Sequence, residues 1–142
     1  MRRRLALVLL VVLPSCIGGA SDECFPQAET TSSGLVVEDL RCGTGDDAIG
    51  GVTVLVHYEG RLQDGTVFES TRARGDPLRF VVDSGTVIEG FDDAVRGMAE
   101  RGVRRIEVPP ELGYGDSGLP PSIPPNATLI FEIELLEVEL EE

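Results

Sequence analysis

The sequence lacks lysine and tryptophan altogether. It has a single histidine, two tyrosines and five phenylalanines. All twelve basic residues are arginines, set against 25 acids, for a formal net charge of −13. Each scarcity excludes something. A chain this acidic is not drawn by charge to nucleic acid or to anionic lipid. One histidine, His57, inside an alternating apolar stretch, reads as a packed or hydrogen-bonded side chain rather than a proton shuttle. No cysteine has a basic partner, such as a histidine, to activate it as a nucleophile. HExxH, GxSxG, Walker-type and GxGxxG patterns are missing, and no carboxylates are spaced for a metal. Neither a metal nor a cofactor is expected.

The chain has 142 residues, 42% of them hydrophobic, which suits one domain with a leader. The leader is residues 1–15. Three arginines, an apolar run from Leu5 to Leu13 and the small Ser15 make a secretory signal. The run is short of the ~20 apolar residues a lasting transmembrane helix requires. "LPSC" is similar to a bacterial lipobox, in which the cysteine, here Cys16, is lipidated and becomes the new N-terminus. The alternative is an ordinary signal cut nearby, with Cys16 unmodified. Either way the chain is expected to be exported to the periplasmic side of a bacterial envelope. Its only membrane contact would be a lipid on Cys16. Residues 16–33, rich in glycine, serine and threonine, read as a flexible tether before a domain at 34–142.

With Cys16 lipidated, Cys24 and Cys42 remain. In an oxidising compartment they read as a disulfide, although two free thiols or a bridge to another chain stay open.

Within the domain, strands are expected near 35–42, 52–62, 66–70, 78–82, 103–108 and 127–140. "QDG" at 63–65 is a hairpin turn. In residues 52–59, Val52, Val54, Val56 and Tyr58 alternate with Thr53, Leu55, His57 and Glu59, so one face is buried. In the last strand the apolar parity shifts near 135–136, which predicts a bulge. One helix is expected between Ile88 and Ala99, where Phe91, Val95 and Met98 recur at helical spacing. The fold class is α+β: a twisted antiparallel sheet of about five strands wrapped around one short α-helix.

One loop stands out. Residues 111–131, "ELGYGDSGLPPSIPPNATLIF", hold four prolines and three glycines just behind Tyr114. A plain connection between two strands could be much shorter.

Four stretches in order, "VHYEGRLQDGTVFEST", "VIEGFDDAVRGM", "RRIEVPPELGYGD" and "IPPNATLIFEIELLEV", resemble the FKBP family of peptidyl-prolyl cis-trans isomerases from about Val52 to Leu140. The resemblance implies a pocket. Tyr58, Phe68 and Phe131 match its aromatic walls. Phe91 stands where the family most often has a tryptophan floor. Val87 and Ile88 match an apolar pair whose second member offers its N–H to a ligand carbonyl. Tyr114 matches a tyrosine whose hydroxyl reaches the substrate backbone. Glu69 stands where the family usually has aspartate, and Leu78 replaces a frequent rim phenylalanine. Ile123 matches an apolar residue over the pocket, and Leu119 would alter rim contacts. The implied partners are proline-containing polypeptides and macrolide inhibitors of the FK506 class. Only about a dozen residues follow Tyr114 before the last strand, which leaves no room for the chaperone domain some relatives insert there. With no long N-terminal helical arm of the kind that dimerises other relatives either, a monomer is expected. A binding module with the same fold and no turnover is the competing reading.

Overall fold

The computed structural model describes residues 24–141. The leader and Cys16 lie outside them. No helix among the described residues is long and apolar enough to cross a membrane.

Seven strands form one antiparallel sheet: β1 (Glu29–Thr30), β2 (Val36–Arg41), β3 (Thr53–Leu62), β4 (Val67–Ser70), β5 (Leu78–Val81), β6 (Val103–Val108) and β7 (Leu129–Glu139). Their spatial order is β1-β2-β6-β7-β3-β4, and β5 also pairs with β3. Each stretch expected as a strand forms one, and β1 is additional: at two residues it is too short for alternation to register. The expected bulge is present. Leu55 pairs with Glu137 and Val56 with Leu135, so Leu136 is the extra residue that switches the buried parity.

Two α-helical segments accompany the sheet. α1 (Thr71–Arg74) is a single turn, with the Ser70 side chain accepting from the Ala73 N–H. α2 (Glu89–Val95) is the main helix, shorter than the sequence periodicity implied. It ends because Arg96 leaves helical geometry and Gly97 takes a positive φ of 86°. Gly90, Phe91, Ala94 and Val95 bury one side of α2 against the sheet. Glu89 and Asp92 suit the positive end of the helix. Asp92 also turns back and accepts from the Asp83 N–H at 2.7 Å, which ties down the preceding loop. The core lies between α2 and the sheet. It is built of Val54, Val56, Phe80, Phe91, Ile106, Val108, Leu129, Phe131, Ile133 and Leu135, among others.

Residues 24–30 make several contacts with the rest of the domain. Cys24 and Cys42 are bridged, with Cα atoms 5.8 Å apart. The Phe25 N–H donates to Asp39 Oδ2 at 2.7 Å, and the Asp39 N–H donates to the Phe25 carbonyl at 2.6 Å. Phe25 lies 5.4 Å below the Arg104 guanidinium, and β1 pairs with β2. Arg104 is 3% exposed. Its Nε and Nη2 hold both oxygens of Asp39 at 2.7 and 2.9 Å, and its Nη1 donates to the Ala94 carbonyl of α2. A buried guanidinium requires this kind of pairing.

Candidate functional site

Five aromatic rings, Tyr58, Phe68, Phe80, Phe91 and Phe131, belong to one group. Phe131 of β7 packs edge-on against Phe68 of β4 at 5.7 Å and against Phe91 of α2 at 5.4 Å between centroids. Tyr58 of β3 meets Phe91 at 5.1 Å and Phe131 at 6.0 Å. Phe80 of β5 supports Phe91 from beneath at 5.8 Å. These are favourable edge-to-face distances. They leave a cavity of about 220 Å³, lined by Tyr58, Phe68, Glu69, Leu78, Thr86, Val87, Ile88, Phe91, Tyr114 and Phe131.

The local backbone explains how these residues meet. Alternation on β3 and β7 points Tyr58 and Phe131 to the same side of the sheet. Gly60 has no side chain where the two rings cross: a Cβ there would stand 2.5 Å from Phe68 Cζ and 2.9 Å from Phe131 Cε1. Val87 and Ile88 form the extended entry to α2. The Ile88 carbonyl accepts from the Phe91 and Asp92 N–H groups at 3.0 and 3.1 Å. Its own N–H makes no hydrogen bond among the described residues. Tyr114, 36% exposed, leads into a 3-10 turn at Gly115–Ser117.

The polar groups are few. Glu69 accepts from Arg74 Nη1 at 2.6 Å and lines the cavity together with Tyr58. Burial, and then the neighbouring Glu69, push the Tyr58 phenol well above the ordinary tyrosine range. Burial, with the Glu69 charge behind it, also raises Tyr114. Both hydroxyls therefore stay protonated and able to donate at neutral pH. Among the described residues no group of three histidine, cysteine or acidic side chains is placed to hold a metal.

Nine of the ten residues singled out from the sequence line this one cavity. Ile123 does not. It is 2% exposed and packs into the core, while its backbone exchanges two 2.9 Å hydrogen bonds with Leu119. The loop after Tyr114 thus closes on itself and turns Ile123 inward, leaving Leu119 exposed. Thr86, adjacent to Val87, lines the cavity and was not anticipated. Nor was Phe80, whose alternation with Leu78 on β5 was a usable signal.

The comparisons with known proteins agree with this geometry. Residues 45–136 match the family model described as FKBP-type peptidyl-prolyl cis-trans isomerase. An FK506-binding protein of Neisseria meningitidis serogroup B is 48% identical over 105 residues, covering 74% of this chain and 96% of the relative. The mouse peptidyl-prolyl cis-trans isomerase FKBP2 is 48% identical over 84 residues, 59% of this chain and 60% of its own. The crystal structure of a peptidyl-prolyl cis-trans isomerase from Pseudomonas syringae superposes with a TM-score of 0.72 at 33% identity, covering 81% of this chain and 83% of that one. With the family's motifs in order along the sequence and their side chains gathered around one ring-lined hollow, the chain belongs to the FKBP-type peptidyl-prolyl cis-trans isomerases.

Proposed function

We propose that the ring-lined cavity is where this chain turns Xaa-Pro peptide bonds. The convergence of Tyr58, Phe68, Phe91, Tyr114 and Phe131 on one solvent-open hollow carries the reading. The barrier to rotation, ~18–20 kcal/mol, comes from amide resonance. Twisting the bond breaks that resonance and leaves a less polar amide. An apolar wall grips the proline ring and favours the twisted amide over the planar one. No proton transfer or covalent attack is needed. In this reading Phe91 is the floor, and Phe68, Phe131 and Leu78 are the walls. The Ile88 N–H and the Tyr114 hydroxyl hold the flanking carbonyls. Glu69, fixed by Arg74, orients Tyr58.

A protease-coupled assay on a short Xaa-Pro peptide tests this. Acceleration of cis-to-trans conversion by micromolar protein is expected. Binding of the peptide with no acceleration would leave a non-catalytic binding module instead.

The substrates proposed are proline-containing segments of exported proteins, with macrolides of the FK506 class as inhibitors. The basic, apolar leader supports export, and the box ending at Cys16 supports a lipid anchor. Labelled palmitate should enter the wild type and not Cys16→Ser. Equal labelling of the two would remove the anchor from the reading.

A further inference from the structure

β3 is paired unevenly. β7 accompanies it from Thr53 to Leu62 on one side. On the other side two short strands share it: β5 pairs Thr53 to Val56, and β4 pairs Glu59 to Arg61. His57 and Tyr58 fall in the break. The cavity is lined at the same place, by Leu78 at the start of β5, Glu69 in β4 and Tyr58 between them.

A main-chain polar group left unpaired in such a break would lose its water without gaining a partner, which is costly. Thr71 supplies the partner. This residue is 0% exposed. Its Oγ1 accepts from the Tyr58 N–H at 2.8 Å and donates to the Tyr58 carbonyl at 3.2 Å. His57 Nδ1 lies 2.9 Å away. A hydroxyl has one proton, so while that proton serves the Tyr58 carbonyl, His57 donates through Nδ1–H. One side chain thus does for Tyr58 what a neighbouring strand does elsewhere. Thr71 also begins α1. Glu69 lies two residues before it and Arg74 three after, and these two bind each other. The Tyr58 side chain lines the cavity together with Glu69. The same short segment therefore clamps the Tyr58 main chain and carries the acid that shares the cavity with its phenol.

We propose that Thr71 is a positioning residue for isomerisation: by clamping the Tyr58 main chain at the ladder break, it fixes the phenol against Glu69 and the cavity wall. This rests on the cavity being the isomerase site. The test is Thr71→Val in the full chain, which removes the hydroxyl and keeps the branched shape. The kcat/KM for an Xaa-Pro peptide is expected to fall about tenfold, chiefly in kcat, with cooperative unfolding retained. A second readout needs no turnover. The chain has two tyrosines and no tryptophan, so in a Tyr114→Phe background phenolate absorbance reports Tyr58 alone. Thr71→Val in that background should ionise at lower pH, toward the ordinary ~10, because the phenol loosens from Glu69. Thr71→Ser should restore both readouts. Should the valine variant not fold, Thr71→Ala must show the same shift in ionisation.

Unchanged Tyr58 ionisation, activity within about twofold of wild type, a loss no greater than the loss of folded protein, or failure of serine to restore would each overturn the proposal. A wild type without turnover would instead overturn the reading of the cavity.

Discussion

At the scale of single residues, the site works through what its polar groups do not do. Tyr58 and Tyr114 stay protonated, and Glu69 is occupied by Arg74. Tyr114→Phe should therefore slow turnover only modestly, about twofold to tenfold, the worth of one neutral hydrogen bond. The same peptide assay checks it, and a loss of several hundredfold would mean that the hydroxyl does more than hold a carbonyl. Tyr58 also links stability to pH. Its folded pKa lies above the unfolded value of about 10, so the native state keeps a proton that the unfolded chain releases. The stabilisation is complete below pH ~10 and is lost as pH rises from there through the folded value. Urea midpoints measured across that range should decline, and less steeply in Tyr58→Phe. Identical slopes in the two proteins would contradict the assignment.

At the scale of elements, the cavity depends on close approaches that ordinary side chains would prevent. β3 crosses beneath Phe68 and Phe131 at Gly60. Gly60→Ala should push both rings, destabilise by about 1–3 kcal/mol and weaken peptide binding. Denaturant unfolding and KM report these separately; a rise in neither would mean that the rings have room to move. The elements also show where sequence reading stopped. The alternation in residues 52–62 and 129–135 identified β3 and β7, and the parity shift identified the bulge, because each long strand buries one face. β1 and α1 are too short to carry a period. Thr71 was invisible for a related reason. A threonine that completes a broken ladder looks, in sequence, like any threonine after a strand.

At the scale of the molecule, residues 24–30 are strapped to the domain by the Cys24–Cys42 bridge and the Asp39–Arg104 pair beneath it. A bridge between positions 18 apart stabilises by about 3 kcal/mol on the chain-entropy account. Reduction should lower unfolding free energy by about that amount while sparing isomerase activity in mild conditions, since no strap residue lines the cavity. Parallel unfolding and peptide assays with and without reductant decide this. Loss of activity in protein that remains folded would show that the strap reaches the site through Arg104 and the Ala94 carbonyl of α2.

The amino-acid order alone carried the family, through motifs that keep their spacing, and the sheet-and-helix class, through local periodicity; the family resemblance then named nine of the ten residues that line the cavity. Only the tertiary structure decided which way the loop after Tyr114 folds, and so that Ile123 is core and not pocket. A wall residue and a core residue must both be apolar, and composition does not separate them. It also decided what residues 25–30 pack against: Phe25 lies on Arg104 and β1 pairs with β2, partners far along the chain that a polar stretch does not announce.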